Sequence, residues 1–325
     1  MGQLKVAVIG ARGIGKHHAK WYAHIGCDVV AIVGTSEARL METAKMLHQM
    51  FGFDGHTYTD CREMLLKEHP DAVSVCTPHN LHYEHTMLAL SYGVHVLCEK
   101  PMVWERTLSH DELMRQAHEM VNTAKDKKLL LAVNTQYAAV SERLRELYER
   151  VRGSWEEPST FEMHMEAKVI GRDESGADLW MDLSAHPISV LLRLFPSHEL
   201  DDGTVETISF GSFIKVRFKL NPTEPKDAHS QVECMIALGR TQTDVRRSIK
   251  INDFEVSISG RDDEHGIYRA CLSSNGFEIV CEDFMHTSIR KFVEAIVGAG
   301  EPLCTAEEGL KNLAWQLRLL HYMIA

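Results

Sequence analysis

The sequence predicts an α/β protein in two parts, a parallel sheet with helices followed by a second α/β part with a mainly antiparallel sheet. Short β-branched runs alternate with amphipathic helical stretches over the first third, which is the pattern of βαβ units. From about Phe161 longer alternating segments follow one another without intervening helices, which is the pattern of antiparallel pairing. The length of 325 residues, at roughly 150 per domain, is enough for two cores.

Taken in order, Lys5–Ile9 is an apolar strand running into a glycine-rich turn, after which Ile14, Trp21, Tyr22 and Ile25 recur at helical intervals. Val29–Val33, Ala72–Cys76, His95–Cys98 and Leu129–Val133 are the further strands. Between the last two, Leu113, Met114, Ala117, Met120, Val121 and Ala124 form one apolar helical stripe that can cover the sheet. The pattern changes near Gln136–Ser141, so the division is residues 1–136 and 137–325, with the final helix able to pack back on the first domain. The second part reads as alternating segments at Phe161–Ile170, Val205–Leu220, Gln231–Leu238, Ser248–Ser259, Gly266–Leu272 and Phe277–Cys281. Helices at about Ala185–Phe195, Thr287–Val297 and Ala306–Met323 complete it, and Asn221–His229, with two prolines, is an exposed loop.

Composition narrows the function classes. There are 35 Lys+Arg against 46 Asp+Glu, a net charge of −11, and no block of like charge forms a nucleic-acid-binding arm. No nucleic-acid or membrane partner is therefore expected, and the longest apolar runs fall far short of a membrane span. Eight scattered cysteines without a CxxC pair or a secretory peptide imply reduced thiols and a cytoplasmic protein. Met1-Gly2 is a poor myristoylation start, because position 6 is Val and belongs to the first strand.

Gly10-Ala11-Arg12-Gly13-Ile14-Gly15 lies between a strand and a helix, where glycines let backbone N–H groups approach a pyrophosphate and the helix N-terminus favours its charge. The spacing departs from GxGxxG, since Arg12 takes the second glycine position and the extra glycine is Gly13. At the end of the second strand the acid that would hold a ribose 2′-hydroxyl is replaced by Thr35-Ser36. Small hydroxyl residues leave room for a 2′-phosphate, with Arg12 and Arg39 as its positive partners, so NADP is the expected cofactor. Glu37 keeps NAD open as the alternative.

Val75-Cys76-Thr77-Pro78-His79-Asn80-Leu81-His82, and then Gly93–Cys98 leading into Glu99-Lys100-Pro101, resemble the Gfo/Idh/MocA family of NAD(P)-dependent oxidoreductases (glucose–fructose oxidoreductase, inositol dehydrogenase, rhizopine catabolism). Asp182-Leu183-Ser184-Ala185-His186-Pro187-Ile188-Ser189 is similar to that family's DxGxHxxD segment, and Phe292–Gly298 and Glu308-Gly309-Leu310 also fit. The resemblance implies an N-terminal Rossmann domain, a second α/β domain whose open sheet serves oligomer contacts, and a homodimer or homotetramer. It implies Lys100, Asp182 and His186 as the catalytic group, with a nicotinamide between the domains. Thr77, Pro78, His79, His82, Glu99 and Lys100 fall on the cofactor shell. Three positions depart from the family pattern: Ser184 for the glycine, Ser189 for the terminal acid, and His79 for the asparagine after Thr-Pro.

These residue types suit hydride transfer at a carbon bearing oxygen. Histidine is the side chain poised near neutral pH, so His186 is the candidate to exchange a proton with that oxygen. Asp182, four residues earlier, is placed to orient the imidazole, and Lys100 to stabilise negative charge on the oxygen. Pro187 must then lie in a first helical turn. His79, His82 and His85 share a spacing of three, but no fourth ligand completes a zinc set, so no metal is expected. Asn134, Gln136, Tyr137, Lys168 and Trp180 are candidates for the cleft or for the core. The expected activity is NAD(P)-dependent oxidation or reduction of a carbohydrate-like small molecule, a sugar, polyol or related secondary alcohol or ketone. A dinucleotide-binding regulator without turnover, or a reductase of a non-sugar C=C or C=N bond, remains the alternative.

Overall fold

The computed structural model describes residues 3–169, 175–210, 213–224 and 231–324. It forms two compact units, Met1–Gln136 with Met285–Leu313, and Tyr137–Phe284 with Ala314–Ala325.

The first unit is built on β1 (Lys5–Ile9), α1 (Gly15–His24), β2 (Asp28–Val33), α2 (Glu37–Phe51), β3 (His56–Tyr58), α3 (Cys61–Glu68), β4 (Ala72–Val75), α4 (His82–Ser91), β5 (His95–Glu99), α5 (His110–Asp126) and β6 (Leu131–Asn134). All six strands are parallel, in the order β3-β2-β1-β4-β5-β6. This is the doubly wound arrangement, and its order reverses between β1 and β4, where such sheets open a crevice beyond their carboxyl ends. Val6, Ala7, Val8 and Ile9 are all buried, as a strand covered on both faces must be. The stripe on α5 is buried at Leu113, Ala117, Met120, Val121 and Ala124, and Ser109 caps the helix by accepting the Glu112 N–H. Edge strand β3 has three residues, none of them buried, and carries no hydrophobic signal.

In the second unit, α6 (Val140–Arg152) precedes β7 (Thr160–Lys168), and α7 (Gly176–Leu183) and α8 (Ala185–Leu194) follow it. The remaining strands are β8 (His198–Phe210), β9 (Phe213–Pro222), β10 (Val232–Thr241), β11 (Arg247–Ile251), β12 (Phe254–Asp262), β13 (Tyr268–Ser274) and β14 (Phe277–Glu282). The sheet order is β14-β13-β12-β11-β7-β10-β9-β8, and among the described residues only β7 and β10 pair in parallel. Helices α6 and α7 pack on one face of it, where Phe161, Met163, Met165, Ile236 and Leu238 are buried.

Two long alternating segments of the sequence are each hairpins. Val205–Leu220 divides into β8 and β9, and Ser248–Ser259 into β11 and β12 around Asn252, whose φ of 50° makes the turn. Period-two alternation continues through such a tight turn, which is why it hides the break. Ile170 and residues 225–229, within the expected strand and loop, lie outside the described residues.

Helix α9 (Phe284–Ile296) leads to α10 (Ala306–Ile324). The chain before α10 lies along β6, with Val133 N–H donating to the Cys304 carbonyl at 3.2 Å. A side chain at Gly309 would collide with Val133, so glycine lets the start of α10 close on the first sheet. Residues 285–313 thereby join the first unit, whereas a two-segment division leaves them with the second.

Candidate active site

The end of β1 meets the start of α1 through three glycines with different duties. Gly10 has φ +90°, and a Cβ there would stand 2.5 Å from the Cys76 carbonyl oxygen; one at Gly15 would stand 2.5 Å from the Gly10 carbonyl oxygen. Gly10 lets β1 turn against the end of β4, and Gly15 lets α1 close on the turn. Nothing lies within 4 Å of the Cβ direction at Gly13. That space opens toward a cavity of about 450 Å³.

Gly10, Ala11, Arg12 and Gly13 form one wall of the cavity, Thr35, Ser36 and Arg39 a second, and Thr77 and Pro78 a third. Helix α1 has no side-chain cap, so its first N–H groups are left for a ligand. Arg12 and Arg39 are exposed, and neither is matched by a carboxylate among the described residues. The Thr77 Oγ1 is buried and has no partner. Glu37 begins α2 as an exposed residue and does not line the cavity. Glycine approach, an uncapped helix end, two unmatched cations and an orphaned hydroxyl are what a dinucleotide carrying a 2′-phosphate requires.

Beyond the last turn of β5, Lys100 is half-buried and its own N–H donates to Glu99 Oε2 at 3.2 Å. The Glu99 carboxylate sits in the interior. His18 Nε2 donates to Oε1 at 2.8 Å, and Asn134 Nδ2 to the same oxygen at 2.6 Å. His18 Nδ1 meets Ser74 Oγ at 2.9 Å, and Tyr22 closes the chain on that oxygen at 2.9 Å. Burial pushes the Glu99 pKa up, but the His18 bond and charge, the Lys100 charge and the Asn134 bond outweigh it and hold the group at about 2. A fixed negative charge therefore stands beside Lys100.

In the second unit the α7–α8 junction places Asp182 in the last turn of α7 and His186 at the second position of α8. Pro187 falls in the first turn of α8, where its missing N–H costs no helical bond. His186 is 6% exposed, and its ring lies 4.8 Å from that of Tyr137, which in turn packs against Phe284. Asp182 Oδ2 accepts from Arg240 of β10 at 2.5 Å, an ion pair whose arginine side chain is 8% exposed.

Residues 4–135 match the family model described as "Oxidoreductase family, NAD-binding Rossmann fold". The chain is 36% identical over 146 residues to D-glucoside 3-dehydrogenase of Escherichia coli (strain K12), an alignment covering 44% of this chain and 38% of that protein. It is 38% identical over 123 residues to D-xylose 1-dehydrogenase (NADP(+)) of Hypocrea jecorina, covering 37% of this chain and 29% of that protein. The alignments thus take in well under half of either relative. Over 98% of the chain the fold resembles that of UDP-N-acetylglucosamine 3-dehydrogenase from Acidithiobacillus ferrooxidans, with a TM-score of 0.72, 20% identity and 97% of that structure covered. Residues 4–135 thus match the NAD-binding Rossmann domain of the Gfo/Idh/MocA oxidoreductase family.

Several residues expected to contact the cofactor do not line this cavity. Ile14 is the residue before α1 and Gly15 lies beneath the turn. His79 sits in the short 3-10 turn after Pro78, its ring edge-on to His82 at 5.6 Å. His82 is fully buried, with Nδ1 2.8 Å from the Pro101 carbonyl and Nε2 3.0 Å from that of Thr77, so it ties the Thr77-Pro78 segment to the residue after Lys100. Glu99 is committed to the interior network, and Lys100 stands beside it. Lys100 belongs to the first unit, and Asp182 and His186 to the second.

The serine departures are internal. Ser184 Oγ accepts from Gln316 Nε2 at 2.9 Å, and Ser189 Oγ donates to the His186 carbonyl at 2.7 Å. Gln316 also binds the Met181 carbonyl and receives the Trp180 indole N–H, so these positions brace the α7–α8 junction. Trp180 is a core residue, and Lys168 is exposed and bonded to the Thr243 carbonyl. His79, His82 and His85 do not converge, and no group of three metal-ligating side chains forms among the described residues.

The sequence reading missed His18, Ser74, Arg240 and the far end of the cavity at Thr43, Thr59, Cys61 and His85. Only His18 had a local signal. It stands four residues before Tyr22 on the buried side of α1, an odd place for a histidine unless it has a partner.

Proposed function

We propose that this protein is an NADP-preferring oxidoreductase that oxidises or reduces a secondary alcohol or ketone carbon of a sugar or polyol. The observation that carries the reading is the cavity wall at Arg12, Thr35, Ser36 and Arg39, with two unmatched guanidinium groups and no acid where a 2′-hydroxyl would be held. A dinucleotide bound there supplies the hydride donor or acceptor. Gly13 and the start of α1 hold its phosphates through backbone N–H groups, while the Gly10 N–H is given to the Val33 carbonyl. The His186 imidazole exchanges a proton with the substrate oxygen. Lys100, beside the Glu99 carboxylate, is assigned to donate a hydrogen bond to the substrate oxygen and stabilise its negative charge. Asp182 keeps a fixed carboxylate one turn before His186, anchored by Arg240. The sugar dehydrogenases among the relatives support the substrate class.

Eight free cysteines support a reducing, cytoplasmic setting. No helix among the described residues is long and apolar enough to cross a membrane. Ile208, Phe213 and Val280, exposed on the sheet face away from the helices, support a homodimer or homotetramer.

The test is fluorescence titration with NADPH and NADH, followed by a steady-state screen of sugars, polyols and their keto forms. Tighter NADPH binding with turnover is expected. Arg12→Ala should weaken NADPH by about tenfold more than NADH, the loss of one charged hydrogen bond. Equal losses would sink the cofactor assignment, and tight binding without turnover over the whole screen would turn the protein into a regulator.

A further inference from the structure

Two arginines stand on the helix-covered face of the second sheet, one on each side of β7. Arg240 on β10 is in register with Ala167, and Arg247 on β11 with Met165, two residues earlier on the same strand and on the same face. Their situations differ. Arg240 is neutralised by Asp182 at 2.5 Å. Arg247 is half-buried, its Nε donates a long 3.5 Å bond to the Glu166 carbonyl and its guanidinium a bond to the Tyr137 phenol, and no carboxylate lies within ion-pair distance among the described residues.

The surroundings of Arg247 are polar and adjoin the proposed chemistry. The Tyr137 phenol lies near its guanidinium; burial raises the Tyr137 pKa and the arginine charge opposes that rise. The other side of the Tyr137 ring packs against His186. The Tyr268 phenol folds over Gly260, a position where any side chain would collide with it, and feels the same guanidinium. Asp283 is the acidic group facing both phenols. A half-buried cation that keeps most of its donors unused costs desolvation without a matching partner, unless a ligand supplies one.

Building on the proposed reaction, we infer that the substrate carries an oxyanion, a carboxylate or a phosphate ester, and that Arg247 binds it with Tyr137 and Tyr268 alongside. Arg240 does not compete for this group because Asp182 already holds it. A neutral sugar such as D-xylose would leave Arg247 without an anionic partner, whereas a sugar acid or sugar phosphate pairs with its planar fork.

The test compares D-glucose, D-glucuronate and D-glucose 6-phosphate by calorimetric titration of the full chain without cofactor. At least one of the two anions should bind 10–100-fold more tightly than glucose, the range for charged hydrogen bonds. Which anion wins distinguishes a carboxylate from a phosphate source. Arg247→Gln should abolish the preference and Arg247→Lys should retain part of it, with NADPH titration checking that both variants are folded. No anion preference in the wild type, or a preference that survives Arg247→Gln, overturns the inference. Because this binding is measured without cofactor, its failure is separable from failure of the dehydrogenase reading, which shows as absence of NADPH binding or turnover.

Discussion

In the first unit six consecutive residues, Gly10 to Gly15, shape the phosphate end of a cavity, and backbone groups are the main donors. In the second, Asp182 meets Arg240 from 58 residues away, and His186 packs on Tyr137 from 49 residues away. One site is local and built from main chain, and the other is assembled from side chains on separate elements. A main-chain site tolerates almost any residue whose Cβ has room, so its signature is where glycine is compulsory. A side-chain site has no such signature, because a distant partner leaves no periodic trace.

Lys100 tests this contrast most severely, since it is the residue of the first unit given a chemical role rather than a cofactor-binding one. Lys100→Ala should lower kcat by about 10²–10³, the cost of losing an oxyanion donor, while dinucleotide Kd stays within several-fold. Activity near wild type would remove Lys100 from the reaction and leave the chemistry to the second unit alone.

The Glu99 network comes next. Its carboxyl titrates at about 2 when folded against an ordinary 4.5, so the folded state favours the ionised form. The resulting stability is complete above pH 4.5 and is lost as pH falls from there toward 2, amounting to roughly 3 kcal/mol by linkage as an upper figure. Urea midpoints measured between pH 6 and pH 3 should fall more steeply for the wild type than for Glu99→Gln. Parallel curves would mean that the buried carboxylate adds no charge-dependent stability.

The smallest effect separates two glycines of one turn. Gly10→Ala should cost about 1–3 kcal/mol of stability, because alanine must hold a positive φ while its Cβ presses on the Cys76 carbonyl. Gly13→Ala should leave the melting temperature nearly unchanged but weaken dinucleotide binding several-fold, since its Cβ points into open space. If both variants lose stability equally, the division of duties within the turn is wrong.

Much of the first unit was readable because parallel strands covered on both faces are continuous apolar runs. Strand β3 escaped because it is three residues long and unburied. Helix α6 escaped despite burying Val140, Leu144, Leu147 and Tyr148 at helical spacing, since seven of its 13 residues are charged and mask the apolar stripe. The α7–α8 segment was legible as a family motif. Its serines looked like pocket residues only because Gln316, far along the chain on α10, is invisible beside them.

The amino-acid sequence by itself determined the parallel-then-antiparallel order, the glycine turn, the hydroxyl pair Thr35-Ser36 after β2, and the residue types at positions 100, 182 and 186. Each is written in local spacing, where hydrophobic period and backbone sterics act over a few residues. Only the tertiary structure decided that Glu99 is a buried ion tied to His18, that Asp182 belongs to Arg240, and that Arg247 stands unmatched near Tyr137. Those outcomes depend on desolvation and on which charges meet across strands, and both are settled only when the sheets close.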